Sequence, residues 1–333
     1  AAAVSEDPWA VVYEAGALAR SKPVQASRST GLTATLKRVS PSHPKAVATV
    51  HEGEFMPEFD SAGKKRRGAF DTPKAMARAT VALALEAATR PVRRALDPAC
   101  GPGAFLVALR EQSSCAIWGI ELDPVAAAVA RVAVPDATIV VADGLTHQAH
   151  CDVLVGNPPF ISPERQNKSL RTRLREDMPW LSGRFDLAVP FAARSVERVA
   201  NGGGVGLVLP ASIMHQPYAT PLRTRWLHRH TITHLSHDTP FPGAQVGVVT
   251  IALRTGGGPS PLPSGVEPTD ILDLPAAPLH PSLKPGDVDI IRHVRARSSP
   301  LGEFATVDTG VVSHGDHGGK EALLHTEPAP HRV

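Results

Sequence analysis

Cysteine is scarce in this chain. Three occur in 333 residues, Cys100, Cys115 and Cys151, and no two stand at a paired spacing. That excludes a disulfide scaffold and a zinc ribbon, and points to a reducing compartment. No apolar run approaches the roughly 18–20 residues needed to span a bilayer. The N-terminus lacks a basic stretch followed by an apolar one, so no signal peptide is expected. An excess of one charge is missing too. Thirty-five Lys and Arg against 32 Asp and Glu leave a formal charge of +3, too small to identify a partner by itself. The histidine pairs in "HLSH" (234–237) and "HGDHGG" (314–319) have no acid or cysteine partners at ligand spacing, so no metal site is expected. No clustered acids with a lysine stand ready for phosphodiester cleavage, and no internal repeat is present.

The chain is 42% hydrophobic and 20% charged, ample for a core. Residues 1–62 are punctuated by Pro and Ser with weak periodicity, and read as a poorly structured or helical N-terminal segment. "KAMARATVALALEAATR" (74–90) has helical character between Pro73 and Pro91. Strand and helix signals then alternate, from "VRRALDPA" and "GAFLVALREQ" to the closing strands "ITHLSHD" and "VGVVTIALR". The alternation predicts an α/β fold with a doubly wound, mostly parallel sheet. Residues 257–300, with "GGGPSPLPSG" at their start, read as a Pro- and Gly-rich linker, and a new segment opens at 301–333. The chain starts without Met and stops at Val333, as a fragment would.

Two stretches carry chemistry. In "LDPACGPGAFL" (96–106) a strand leads to Asp97, then a tight loop, then a helix. Gly101 and Gly103 let backbone approach a ligand, and the helix start offers unpaired N–H groups. The loop is not G-x-x-x-x-G-K-[ST], so a triphosphate cradle is not expected, nor is it G-x-G-x-x-G, since position 106 is Leu. Glu121 closes the next strand, where an acid accepts from ribose hydroxyls, and Asp143 closes the third, placed for an adenine amino group. Either acid alone reads as a solvated strand end; both in order point to an adenosine-containing ligand.

The second stretch, "DVLVGNPPFIS" (152–162), ends a buried strand in Asn157, two prolines and Phe160. Neither proline donates a hydrogen bond and each restricts the residue before it, so the carbonyls here are stiff.

Taken together, Asp97 through Gly103, then Glu121, Asp143 and Asn157-Pro158-Pro159-Phe160, resemble the ordered motifs of S-adenosylmethionine-dependent methyltransferases. More narrowly, they resemble the gamma-class N6-adenine DNA methyltransferases of restriction–modification and phage-defence systems. The resemblance covers about residues 63–255, with a fainter echo at 301–312. It implies a Rossmann-like fold with seven strands, a catalytic domain over 63–256 and the start of a truncated target-recognition region over 301–333. It also implies S-adenosylmethionine as cofactor, held by Thr72, Pro73, Asp97, Ala99, Gly101, Gly103, Glu121, Asp143 and Asn157.

Within that resemblance the Asn157 side-chain oxygen and the Pro158 carbonyl would accept the hydrogens of an adenine N6, localising its lone pair for attack on the sulfonium methyl. No metal is implied. Phe160 would stack on the base, which must be flipped out of the duplex, and Phe241 would complete the sandwich. Basic clusters flank the site and suit the phosphates of double-stranded DNA: Lys64 and Arg66, then Arg171 and Arg173, then Arg225. The family implies a cytoplasmic, nucleoid-associated enzyme, with recognition or cleavage supplied by a separate specificity or nuclease subunit. Alternatives stay open: transfer to rRNA, to a protein glutamine amide or to cytosine N4, and a catalytically silent DNA-binding subunit. Pro102 departs from the family pattern by removing one backbone donor from the loop.

Overall fold

A computed structural model of the chain describes residues 7–15, 72–238, 247–299 and 303. Residues 1–288 form one compact unit and 289–333 a second.

The first unit is built on the expected seven-stranded sheet. Its strands are β1 (Arg94–Asp97), β2 (Ala116–Glu121), β3 (Thr138–Val141), β4 (Cys151–Gly156), β5 (Val199–Pro210), β6 (Thr231–Asp238) and β7 (Val248–Arg254). They lie in the order β3-β2-β1-β4-β5-β7-β6. The first five run parallel, and β7 is antiparallel to both β5 and β6. Every residue of β4 is buried, as its mostly apolar and small sequence demands of a central parallel strand.

The helices follow the alternation. They are α1 (Pro8–Ala10, continued by a wider turn over Val11–Ala15), α2 (Lys74–Ala87), α3 (Ala104–Gln112), α4 (Pro124–Ala133), α5 (Lys168–Asp177), α6 (Ala188–Glu197), α7 (Thr220–Arg229), α8 (Pro268–Leu272) and α9 (Pro285–Ala296). Local chemistry sets their starts. Asp123 accepts from the Val125 N–H at 2.9 Å with Pro124 at the first position of α4, and Asn167 accepts from Ser169 N–H at 3.0 Å to open α5. Among the described residues no helix is long and apolar enough to cross a membrane.

Two segments gain detail. Within the N-terminal segment, residues 7–15 are helical and docked, with Trp9, Val11 and Val12 buried in the main core. The stretch expected as a linker is not a free tether over 262–288. Leu262, Val266, Ile271, Leu274, Leu279 and Val288 are buried there, and α8 packs on α7. Its prolines and glycines forbid long regular elements without forbidding burial of the apolar residues between them.

Arg223 holds this strap. It lies inside the basic run of α7 but is fully buried, and its guanidinium donates to the carbonyls of Ala277 (2.9 Å) and Gln216 (3.0 Å), and to those of Ile213 and Ala276. Burial pulls its pKa down to about 10. Ala276 and Ala277 adopt left-handed backbone (φ 59° and 40°), which the clamp keeps in place. Arg223→Met strands several buried carbonyls, so it is expected to cost about 3 kcal/mol or more, read as a lower denaturant midpoint in equilibrium unfolding.

In the second unit the structure describes residues 289–299 and 303, where Ile290 and Val294 are exposed on the end of α9.

Candidate active site

Parallel strands bring their C-terminal ends to one edge, and the sequence-predicted residues stand there in order. Asp97 ends β1, Glu121 ends β2, Asp143 follows β3 and Asn157 follows β4. The β1–β2 register pairs Asp97 with Gly119, and the β2–β3 register pairs Glu121 with Val141, so the three acids follow adjacent strands.

The loop after β1 is compact. Gly101 and Gly103 take left-handed backbone (φ 53° and 105°), as a tight strand-to-helix turn requires. The Ala99 N–H donates to Asp97 Oδ1 at 3.0 Å, and the Gly101 N–H donates to Glu121 Oε2 at 2.7 Å. Glu121 Oε1 accepts from the Asp123 N–H at 2.8 Å, so both oxygens of this carboxylate are oriented by backbone. The loop after β3 comes so close that a Cβ on Gly144 would lie 1.8 Å from the Pro98 carbonyl oxygen.

Asp97 is 1% exposed, and burial pushes its carboxyl up to about 8; the Ala99 N–H opposes the shift and the neighbouring Glu121 charge adds to it. Its Oδ2 is buried without a hydrogen-bond partner among the described residues. Asn157 has the same character. Its Nδ2 donates to Thr72 Oγ1 at 3.2 Å, and its Oδ1 is buried with no partner among those residues. Two buried polar oxygens without a described partner at one strand edge are costly unless a ligand satisfies them.

The segment after Pro159 is fixed by residues the sequence did not flag. Ile161 O accepts from Leu187 N–H (3.0 Å) and from Gln166 Nε2 (2.8 Å), and Gln166 Nε2 also reaches Phe185 O at 2.7 Å. Asp186 accepts from the Ile161 and Ala188 N–H groups, while burial pushes it up to about 6. Phe160 is half-buried against the core, and Pro158 is buried. Leu122, directly after Glu121, is 65% exposed.

Three of the five predicted basic residues, Arg171, Arg173 and Arg225, lie among the described residues. Arg173 lies 3.6 Å from Asp143 Oδ2, so a residue expected at DNA meets one expected at cofactor. Arg225 places its guanidinium 4.9 Å from the Trp180 ring centroid, and Arg171 has a buried Nε with no partner among the described residues. Lys64, Arg66 and Phe241 lie outside the described residues. Among the described residues no group of three or more His, Cys, Asp or Glu could hold a metal.

Similar proteins are known. The chain is 30% identical over 209 residues to the Type II methyltransferase M.TthHB8I of Thermus thermophilus, covering 59% of this chain and 47% of that one. It is 32% identical over 112 residues to the Type II methyltransferase M.PaeR7I of Pseudomonas aeruginosa, covering 32% of this chain and 20% of that one. The match thus spans about half the length of the first relative and about a fifth of the second. A solved structure of a candidate class I S-adenosylmethionine-dependent methyltransferase from Listeria monocytogenes superposes with a TM-score of 0.51. It covers 80% of this chain and 92% of that one at 14% identity, which speaks to the fold alone. Residues 45–232, from ahead of the Gly loop to the start of β6, match the N-6 DNA Methylase family, and by that match over more than half its length the chain belongs to it.

Proposed function

We propose that the chain carries the catalytic domain of an adenine-specific DNA methyltransferase. It would move a methyl group from S-adenosylmethionine to the exocyclic N6 of a flipped-out adenine in double-stranded DNA. The observation that carries this reading is the buried Asn157 Oδ1 at the end of β4, unpartnered among the described residues and followed by two prolines. An exocyclic amine presents the N–H groups such an acceptor lacks.

The edge also fits the cofactor. Asp97 Oδ2 is a second buried oxygen without a described partner, the loop at Gly101 and Gly103 keeps side chains out of the way, and Leu122 offers an apolar surface beside Glu121. Thr72, Pro73, Asp97, Ala99, Gly101, Gly103, Glu121, Asp143 and Asn157 are the residues we assign to holding it. When bound, S-adenosylmethionine supplies an electrophilic methyl group.

The chain's own residues do the rest. Asn157 Oδ1 and the Pro158 carbonyl accept the N6 hydrogens and favour a pyramidal nitrogen with a localised lone pair. The prolines and the clamp on Ile161 keep both acceptors in place before the base arrives, so little reorganisation is needed during reaction. Phe160 stacks on the base, a contact worth about 1–3 kcal/mol, and Phe241 is assigned the other face. Arg171, Arg173 and Arg225, with Lys64 and Arg66, are assigned to phosphates; Arg173 must leave Asp143 to take that role.

We further assign residues 63–256 to catalysis and residues 301–333 to the start of a recognition region, in a cytoplasmic enzyme working at the nucleoid with a specificity or nuclease partner. The test is transfer of labelled methyl from S-adenosylmethionine to unmethylated genomic DNA, with nucleoside analysis and Asn157→Ala as control. N6-methyladenine that vanishes in the variant is expected. Label in N4-methylcytosine, rRNA or a protein glutamine would move the acceptor, and cofactor binding without transfer to any of them would leave a silent DNA-binding subunit.

A further inference from the structure

Asn157 is gripped from the side of the N-terminus. Its Nδ2 donates to Thr72 Oγ1 at 3.2 Å, and the carbonyl of the same Thr72 accepts from the Tyr13 hydroxyl at 3.0 Å. Thr72 itself is buried, and the next carbonyl, of Pro73, accepts from Ala77 N–H at 2.9 Å as α2 begins. The Thr72 peptide is therefore tied on one side to a helix and on the other to Tyr13.

Tyr13 is in turn well anchored. Its ring stacks on Trp9, with centroids 5.9 Å apart and planes 14° apart. Trp9 is 3% exposed, its Nε1 donates to Glu111 Oε1 at 2.7 Å, and the Lys74 ammonium sits 5.1 Å from its ring centroid. Arg78 pairs with the same Glu111 at 2.6 Å. Asp7 caps the Trp9 N–H at 3.0 Å, and Val11 and Val12 are buried beside it. Such an anchorage is more than a surface segment needs.

The two ends of a carbamoyl group are nearly the same shape and a hydroxyl can meet either, so the orientation seen, with Nδ2 on Thr72 Oγ1, depends on how Thr72 is held. With Thr72 Oγ1 taking the Nδ2 end, Oδ1 is left as the acceptor. Turned over, the group would present N–H to an incoming amine and repel it. We infer that Tyr13 is a positioning residue for Asn157, acting through Thr72, so that residues 7–15 belong to the catalytic apparatus and not only to the core. This rests on the proposed methyl transfer for its kinetic consequence, but the coupling itself is a property of the free protein.

The experiment uses the full chain, labelled with ¹⁵N, as wild type, Tyr13→Phe, Thr72→Val and the double variant, with Asn157→Asp to assign the Asn157 side-chain amide signals. Tyr13→Phe is expected to shift those signals and to lower kcat about fivefold, the loss of one hydrogen bond. KM for S-adenosylmethionine and DNA should stay near wild type, and the melting temperature should fall by no more than a few degrees, the effect of one lost hydrogen bond. Adding Tyr13→Phe to Thr72→Val should cause no further loss, because the path is already cut. A merely structural Tyr13 would lower the melting temperature and leave the amide signals in place, and that result overturns the inference. If the amide moves but wild type methylates no DNA, the coupling stands and the reaction assignment falls. If wild type methylates DNA and Tyr13→Phe matches it in both readouts, the inference falls and the reaction stands.

Discussion

Asn157→Ala is expected to slow methyl transfer to DNA about a hundred- to a thousandfold in single-turnover assays, the range seen when one preorganised hydrogen-bonding group is removed from a reacting centre. Cofactor affinity should weaken far less, because the loop after β1 and the acids of β2 and β3 are untouched. The size follows from where the atom stands. Asn157 Oδ1 is buried and has no partner among the described residues, so none of them is poised to replace it. Water admitted by the deletion is mobile and cannot hold the nitrogen in a pyramidal shape. Asn157→Asp separates shape from charge. It keeps an oxygen at the same place but adds a buried negative charge near Asp97, across Gly156, whose hypothetical Cβ lies 3.0 Å from Asp97 Oδ1. An intermediate loss is expected, with a rate that rises as pH falls. Equal rates for wild type and Asn157→Ala would remove Asn157 from the reaction altogether.

The second large effect is on stability. Burial raises the Asp97 carboxyl from 3.8 to about 8 in the folded chain. The folded state then holds this proton more tightly than the unfolded state does. The resulting stabilisation is complete below about pH 4, declines as pH rises, and is gone above about pH 8. A shift of this span corresponds to something on the order of 5 kcal/mol. Asp97→Asn cannot ionise, and its side-chain oxygen can still accept from Ala99 N–H. Denaturant midpoints measured without cofactor from pH 5 to 9 should therefore fall steeply for wild type and much less for the variant. Asp186, raised to about 6, adds a smaller decline of the same sign to both, confined to the acid end of that range. Parallel curves would mean that Asp97 is ionised throughout, with its charge met by a group that the structure does not place there.

How much of this was legible in the sequence depends on the distance over which a signal acts. The strand ends were readable because each motif is local: an apolar run, then Asp97 with glycines, or Asn157 with prolines. The parallel character of the sheet followed from the same alternation. Tyr13 was not readable because it reaches a partner 59 residues away through one bond, and Arg223 was not because the part of its clamp that holds the strap, on Ala276 and Ala277, lies 53 and 54 residues away. Arg223 also hid among Arg225, His228 and Arg229, a basic group that read as one for DNA phosphates. Its burial does have a trace: Leu222, Arg223, Trp226 and Leu227 share one side of α7 at helical spacing. Gln166 and Asp186 gave no such trace, since one sits in an irregular turn and the other at a helix start. The strap over 262–288 was missed because its apolar residues have neither the period of a helix nor that of a strand.

The bond from Tyr13 to Thr72 joins residues 59 apart in sequence. The contact rests on one hydroxyl and one carbonyl, so a single change at Tyr13 is enough to remove it, wherever else in the chain the sequence varies.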